Sequence, residues 1–125
     1  MMEPLMSQDP ETLTDALQKL NGRALSSIEF VQDYLQLRFD GPILTAYTPP
    51  TVSSPHGTFE LGKAGYRDAI CEQIGLQIIR TECDSQSVSL AFENGVTICV
   101  SLRESDYLGP EALVFKFDEK RIWVV

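Results

Sequence analysis

His56 is the single histidine of the 125-residue chain, so any Ser-His-Asp or Cys-His mechanism has to pass its proton through that imidazole. It stands in Ser53-Ser54-Pro55-His56-Gly57. Ser53 and Ser54 are the nearest hydroxyls along the chain, but no G-x-S-x-G turn surrounds them, and a base works only when packed neighbours hold it against its nucleophile. The segment therefore reads as a solvated loop. Cys71, Cys83 and Cys99 are an odd set without C-x-x-C spacing, which suggests neither a disulfide framework nor a zinc site. They read as reduced thiols. Cys71, between Ile70 and Ile74, reads as a small core hydrophobe, whereas Cys99 faces the same way as Thr97 and Ser101 and would need Arg80 or Arg103 nearby to become a thiolate.

Carboxylates are the other groups able to move protons. Asp33, Asp68, Asp106 and Glu111 all lie near aromatic residues in the sequence. With 18 acidic residues in the chain, such neighbours are common. No D-x-[DN]-x-[DN]-G loop is present, and Lys63 in Leu61-Gly62-Lys63 falls far short of a phosphate-binding G-x-x-x-x-G-K-[ST]. The expectation is no catalytic residue, no metal and no cofactor. Binding is the remaining chemistry, and the most polar connection between strand-like segments runs from Arg103 to Glu111. Arg103, Glu104, Asp106, Tyr107 and Glu111 are the candidate partner-binding residues. Trp123 joins them because Arg121-Ile122-Trp123-Val124-Val125 is apolar on both faces, as befits a strand that is central or covered by a partner.

The elements that must carry these residues follow from periodicity. Asp9, Pro10 and Glu11 suit the start of a helix over about 10–20, whose Leu13, Ala16, Leu17 and Leu20 form one stripe ended by Asn21-Gly22. From Leu25 to Tyr47 the period is two, with Leu35, Leu37 and Phe39 on one side and a turn at Asp40-Gly41-Pro42. The stretch 48–58 holds three of the seven prolines and reads as an exposed loop with edge character near Val52. A second helix is predicted over about 64–74 with Tyr66, Ile70 and Ile74 inward and Gly75 as its stop. Strands follow over about 76–83, 87–93 and 96–102, the last two joined by Asn94-Gly95. Leu113–Phe117 and Ile122–Val125 flank a charged turn and read as a terminal hairpin.

One offset overlays the two halves. Gly22 precedes Phe39 by 17 residues, as Gly75 precedes Phe92, and the shift of 53 also pairs Leu25 with Ile78, Leu35 with Val88 and Leu37 with Leu90. The pattern predicts internal duplication of an α-β-β-β unit, with halves at about 9–55 and 62–112, a hairpin at 113–125 and a flexible tail at 1–8. The fold class is α+β, mainly antiparallel sheet with two helices, in one domain spanning 9–125.

Composition bounds the partners. A content of 43% apolar and 22% charged residues suits one globular domain, and no apolar run approaches the roughly 18–20 residues of a membrane helix. The net charge of −8 repels nucleic acid and anionic membranes and would steer a basic protein inward. Acidic residues stand where a secretory signal carries basic ones, which predicts a reducing cytoplasm.

The pattern DYLQLRFDG, then GYRDAICEQIG, then SLAFENGVTICVSL is similar to small bacterial domains, among them candidate immunity proteins of polymorphic toxin systems, over about residues 20–112. The resemblance implies a non-enzymatic, cytoplasmic, acidic binder of a basic protein and assigns no functional residue. The leading expectation is thus a protein-interaction domain, with a homodimer as one form its interface could take. The alternative is a small-molecule or regulatory module with a pocket between the halves, walled by Tyr34, Tyr47, Tyr66 or Tyr107.

Overall fold

The computed structural model describes residues 12–125, so the tail, Asp9, Pro10 and Glu11 lie outside the described residues. Two short helices and ten strands follow in the order α1 (Leu13–Gln18), β1 (Ser27–Val31), β2 (Tyr34–Arg38), β3 (Ile43–Ala46), β4 (Thr51–Ser54), β5 (Gly57–Phe59), α2 (Tyr66–Cys71), β6 (Ile78–Cys83), β7 (Ser87–Phe92), β8 (Thr97–Ser101), β9 (Leu113–Lys116) and β10 (Ile122–Val124). All strands pair antiparallel in two five-stranded sheets, β1-β2-β3-β9-β10 and β5-β4-β8-β7-β6. The fold is α+β and dominated by sheet. Leu35, Leu37 and Phe39 from the first sheet and Val88, Leu90 and Phe92 from the second meet in a single buried core. Alternation of period two delivers these side chains to one face, and their removal from water is the main force joining the sheets.

Each sheet is a three-stranded meander completed by a hairpin from elsewhere in the chain. The hairpin after β3 crosses to pair β4 with β8, and the hairpin after β8 crosses back to pair β9 with β3. β9–β10 therefore holds in the first sheet the place that β4–β5 holds in the second. The helices start at Leu13 and Tyr66, 53 residues apart. At the seam between the halves, Gly22 N donates to Ile78 O and Gly75 N to Leu25 O, both at 2.7 Å. Ile78 N donates to Arg23 O at 2.9 Å and Leu25 N to Leu76 O at 3.0 Å. Each bond of a pair becomes the other when both residues move by that same spacing, one up and one down the chain. Gly22 and Gly75 carry φ of 87° and 91°, the left-handed conformation that turns the chain out of each helix into the seam.

Several sequence expectations change in detail. Thr12 is the N-cap of α1, extended in its backbone, with Oγ1 accepting from Asp15 N at 3.1 Å. α2 is shorter than the predicted 64–74, because Gly65 at its N-cap brings no capping side chain and the chain tightens after Cys71. There Gln73 N bonds Ile70 O and Ile74 N bonds Cys71 O, three residues back, which turns Gln73 inward and leaves Ile74 46% exposed. Cys71 is exposed and not part of the core, since it lies beside the Tyr66–Ile70 stripe and not on it. The segment 48–58 is a hairpin, not an exposed loop: β4 is paired on both sides and Val52 is fully buried. Pro49 and Pro50 precede β4 and Pro55 sits in its turn, so no ladder donor is lost. Finally, β10 is an edge strand and not a central one. Trp123 stacks inward on Phe115 at 6.0 Å, while Ile122 and Val124 point away from it and stay exposed.

Candidate functional site

Pro49 and Pro50 carry the chain from the first sheet to the second, and a cleft lies on either side of that crossing. The first, of about 560 Å³, opens between the β1–β2 turn, the end of β3, the start of α2 and the segment 108–111. Its walls are aromatic. Tyr34 opens β2 and Tyr47 follows β3, so the register that pairs Leu35 with Ala46 brings the two rings together at 5.4 Å, tilted by 53°. Tyr66 is buried at the first turn of α2 and its hydroxyl donates to Pro50 O at 2.7 Å, tying the helix to the crossing segment. Burial pushes its pKa up to about 12, so the phenol stays a neutral donor. Beside it the Arg67 guanidinium lies 5.5 Å from the Phe30 ring. Phe30, Leu61 and Leu108 form an apolar rim at 39%, 61% and 74% exposure.

The second cleft, of about 720 Å³, shares Pro49, Pro50 and Leu61 with the first but is polar. β8 pairs with β4 on one side and β7 on the other, and its Cys99 and Ser101 face into the opening. Ser101 Oγ donates to Asp106 Oδ2 at 2.5 Å and accepts from Arg103 N at 3.2 Å. Arg103 Nε stands 3.5 Å from the same carboxylate. Thr48, only 3% exposed, also lines this cleft, and its Oγ1 is buried without a hydrogen-bond partner.

The candidate residues of the sequence thus divide. Arg103 and Asp106 line the polar cleft and Glu111 lines the aromatic one, so the loop 103–111 spans both. Glu104 is exposed in a 3-10 turn, and Tyr107 is half-buried against the core and lines neither cleft. Trp123 packs inside the first sheet, away from either. Tyr34, Tyr47 and Tyr66 meet in one cleft, without Tyr107. Phe30, Arg67, Leu61 and Leu108 were not anticipated. The available signal was a large apolar side chain beside glycine in a connection, as in Leu61-Gly62 and Leu108-Gly109-Pro110.

His56 is exposed in the β4–β5 turn, where its N–H donates to Ser54 Oγ at 3.1 Å, and that hydroxyl in turn donates to Gly57 O at 3.1 Å. Ser54 is spent on the turn. All three cysteines are free, and burial pushes the Cys83 thiol up, away from the reactive thiolate. Among the described residues, no three His, Cys, Asp or Glu side chains converge to hold a metal ion. No described helix is long and apolar enough to cross a membrane.

No family model matches the chain. Nor does any curated protein or solved structure.

Proposed function

We propose that the protein is a non-enzymatic interaction domain that holds a basic protein partner by seating an apolar side chain in the aromatic cleft. The observation that carries this reading is the convergence of exposed Phe30, Leu61 and Leu108 on a cleft walled by Tyr34, Tyr47 and Tyr66. Exposed apolar groups gathered at a concave aromatic site mark a place that another surface covers, and aromatic anchors supply most of the binding energy there. Charge gives the partner's sign: the chain carries −8, and Asp33 and Glu111 lie on the cleft. An immunity-like role, stoichiometric capture of a toxin, is the form of this function that the sequence resemblance implies. The free thiols Cys71, Cys83 and Cys99 support a cytoplasmic setting.

The test is capture of the partner from the native host by the wild-type protein, followed by titration of the purified pair. Leu108→Glu and Phe30→Glu change exposed rim positions, so Tm should hold while affinity falls by at least about thirtyfold. Unchanged affinity in both variants removes the cleft from the interface. A second reading, a small-molecule module, is favoured by the cleft volume, which lies within the roughly 300–1,000 Å³ of small-ligand sites. A metabolite that raises Tm in the wild type but not in Tyr34→Ser/Tyr47→Ser would select it.

A further inference from the structure

We infer that the polar cleft is a second anchor point, a receptor for a lysine or arginine side chain from the same partner segment that fills the aromatic cleft. The inference rests on the reading above and names the partner's chemistry. The two clefts share Pro49, Pro50 and Leu61 as a common wall. A chain segment lying over that ridge places one side chain on each side of it.

The lining of the second cleft suits a cation rich in N–H donors. Glu60 and Asp106 supply two carboxylates, and Ser87 and Ser101 supply hydroxyl oxygens. One cation, Arg103, faces them, and its Nε is already drawn to Asp106 at 3.5 Å, so the local balance stays negative. The independent observation at this cleft is Thr48. A hydroxyl oxygen buried at 3% residue exposure with no partner forfeits hydrogen bonding that water would have given it. An incoming ammonium or guanidinium brings several donors at once and offers that oxygen a bond while pairing with the carboxylates.

The experiment uses the full chain and the peptide series acetyl-Leu-(Gly)n-Arg-amide with one to three glycines, against the same series ending in glutamine, read by amide shifts. The expected result is movement of Tyr34 and Tyr47 together with Thr48 and Ser101, and affinity about tenfold higher for the arginine series at low salt. That advantage disappears in Glu60→Gln/Asp106→Asn, in which asparagine still accepts the Ser101 hydroxyl and Tm reports the fold. Equal binding of the two series with Thr48 and Ser101 stationary overturns the inference and leaves the aromatic cleft standing. If no peptide moves Tyr34 or Tyr47, the proposed function falls with it. Movement of Thr48 and Arg103 by inorganic phosphate alone overturns the cation assignment in favour of an anion.

Discussion

The two clefts share Pro49, Pro50 and Leu61 as a common wall and are otherwise lined by side chains of opposite character. Tyr34 opens β2 as Ser87 opens β7, and Tyr47 directly follows β3 whereas Ser101 is the last residue of β8. Pro49 follows on one side and Arg103 on the other. Nearby, where Arg67 covers the Phe30 ring, the positions 53 residues away carry Thr14 and Cys83. The backbone frame therefore does not decide what binds. Ring against hydroxyl does: one side sheds water and offers dispersion contacts, the other keeps a polar lining that must be matched group for group.

The comparison can be broken at several strengths. Phe39 and Phe92 are both fully buried at matching points, so Phe39→Ala and Phe92→Ala should each cost about 3–5 kcal/mol in urea unfolding. A clear inequality between them would show that the halves do not share the core evenly. Leu20 and Gln73 also correspond, yet Gln73 is fully buried with Oε1 unpartnered. Leu20→Gln should destabilise by about 2–3 kcal/mol, and Gln73→Leu should stabilise by about 1 kcal/mol. Giving the first cleft the hydroxyls of the second, as Tyr34→Ser/Tyr47→Ser, should remove partner binding by at least thirtyfold on the scale of about 2 kcal/mol or more for an aromatic anchor.

The mildest contrast lies in the hairpin turns. Ser54 holds the β4–β5 turn with an uncharged hydroxyl, whereas Asp118 holds the β9–β10 turn with charge. Its bonds from Arg121, then from Lys120 N, hold the Asp118 carboxyl at about 2, below its ordinary 3.8. A lowered folded value stabilises the folded state above 3.8, and that contribution is lost as pH falls through about 2. Acid titration followed by NMR should loosen the β9–β10 turn in this window while leaving β4–β5 alone, and Asp118→Ala should abolish the difference.

Much of this architecture was legible in the chain. Leu35, Leu37 and Phe39, like Val88, Leu90 and Phe92, could face a core only as strands, and Asn94-Gly95 could only be a turn. The 53-residue offset predicts a duplication, of which the structure shows the matching helix starts and seam bonds and no more. The crossing of β4–β5 was hidden by prolines, which flank the strand and do not interrupt it. The aromatic cleft was half legible, because Tyr34, Tyr47 and Tyr66 are conspicuous, whereas Phe30 and Arg67 meet only after α2 lies beside β1. The orphaned Thr48 hydroxyl depends wholly on long-range packing, and local pattern carries no trace of it.

The exchanged hairpins set the order in which the molecule can come into being. Leu44 pairs with Phe115, so the first sheet stays open at β3 until β9, far along the chain, has left the ribosome. Closing so large a loop is slow, and an early-emerging meander with an uncovered strand edge is a target for chaperones or misassembly. The same feature makes the protein a candidate for splitting: cut in the segment 60–64, neither piece can complete its own sheet, and order should return only when both are mixed.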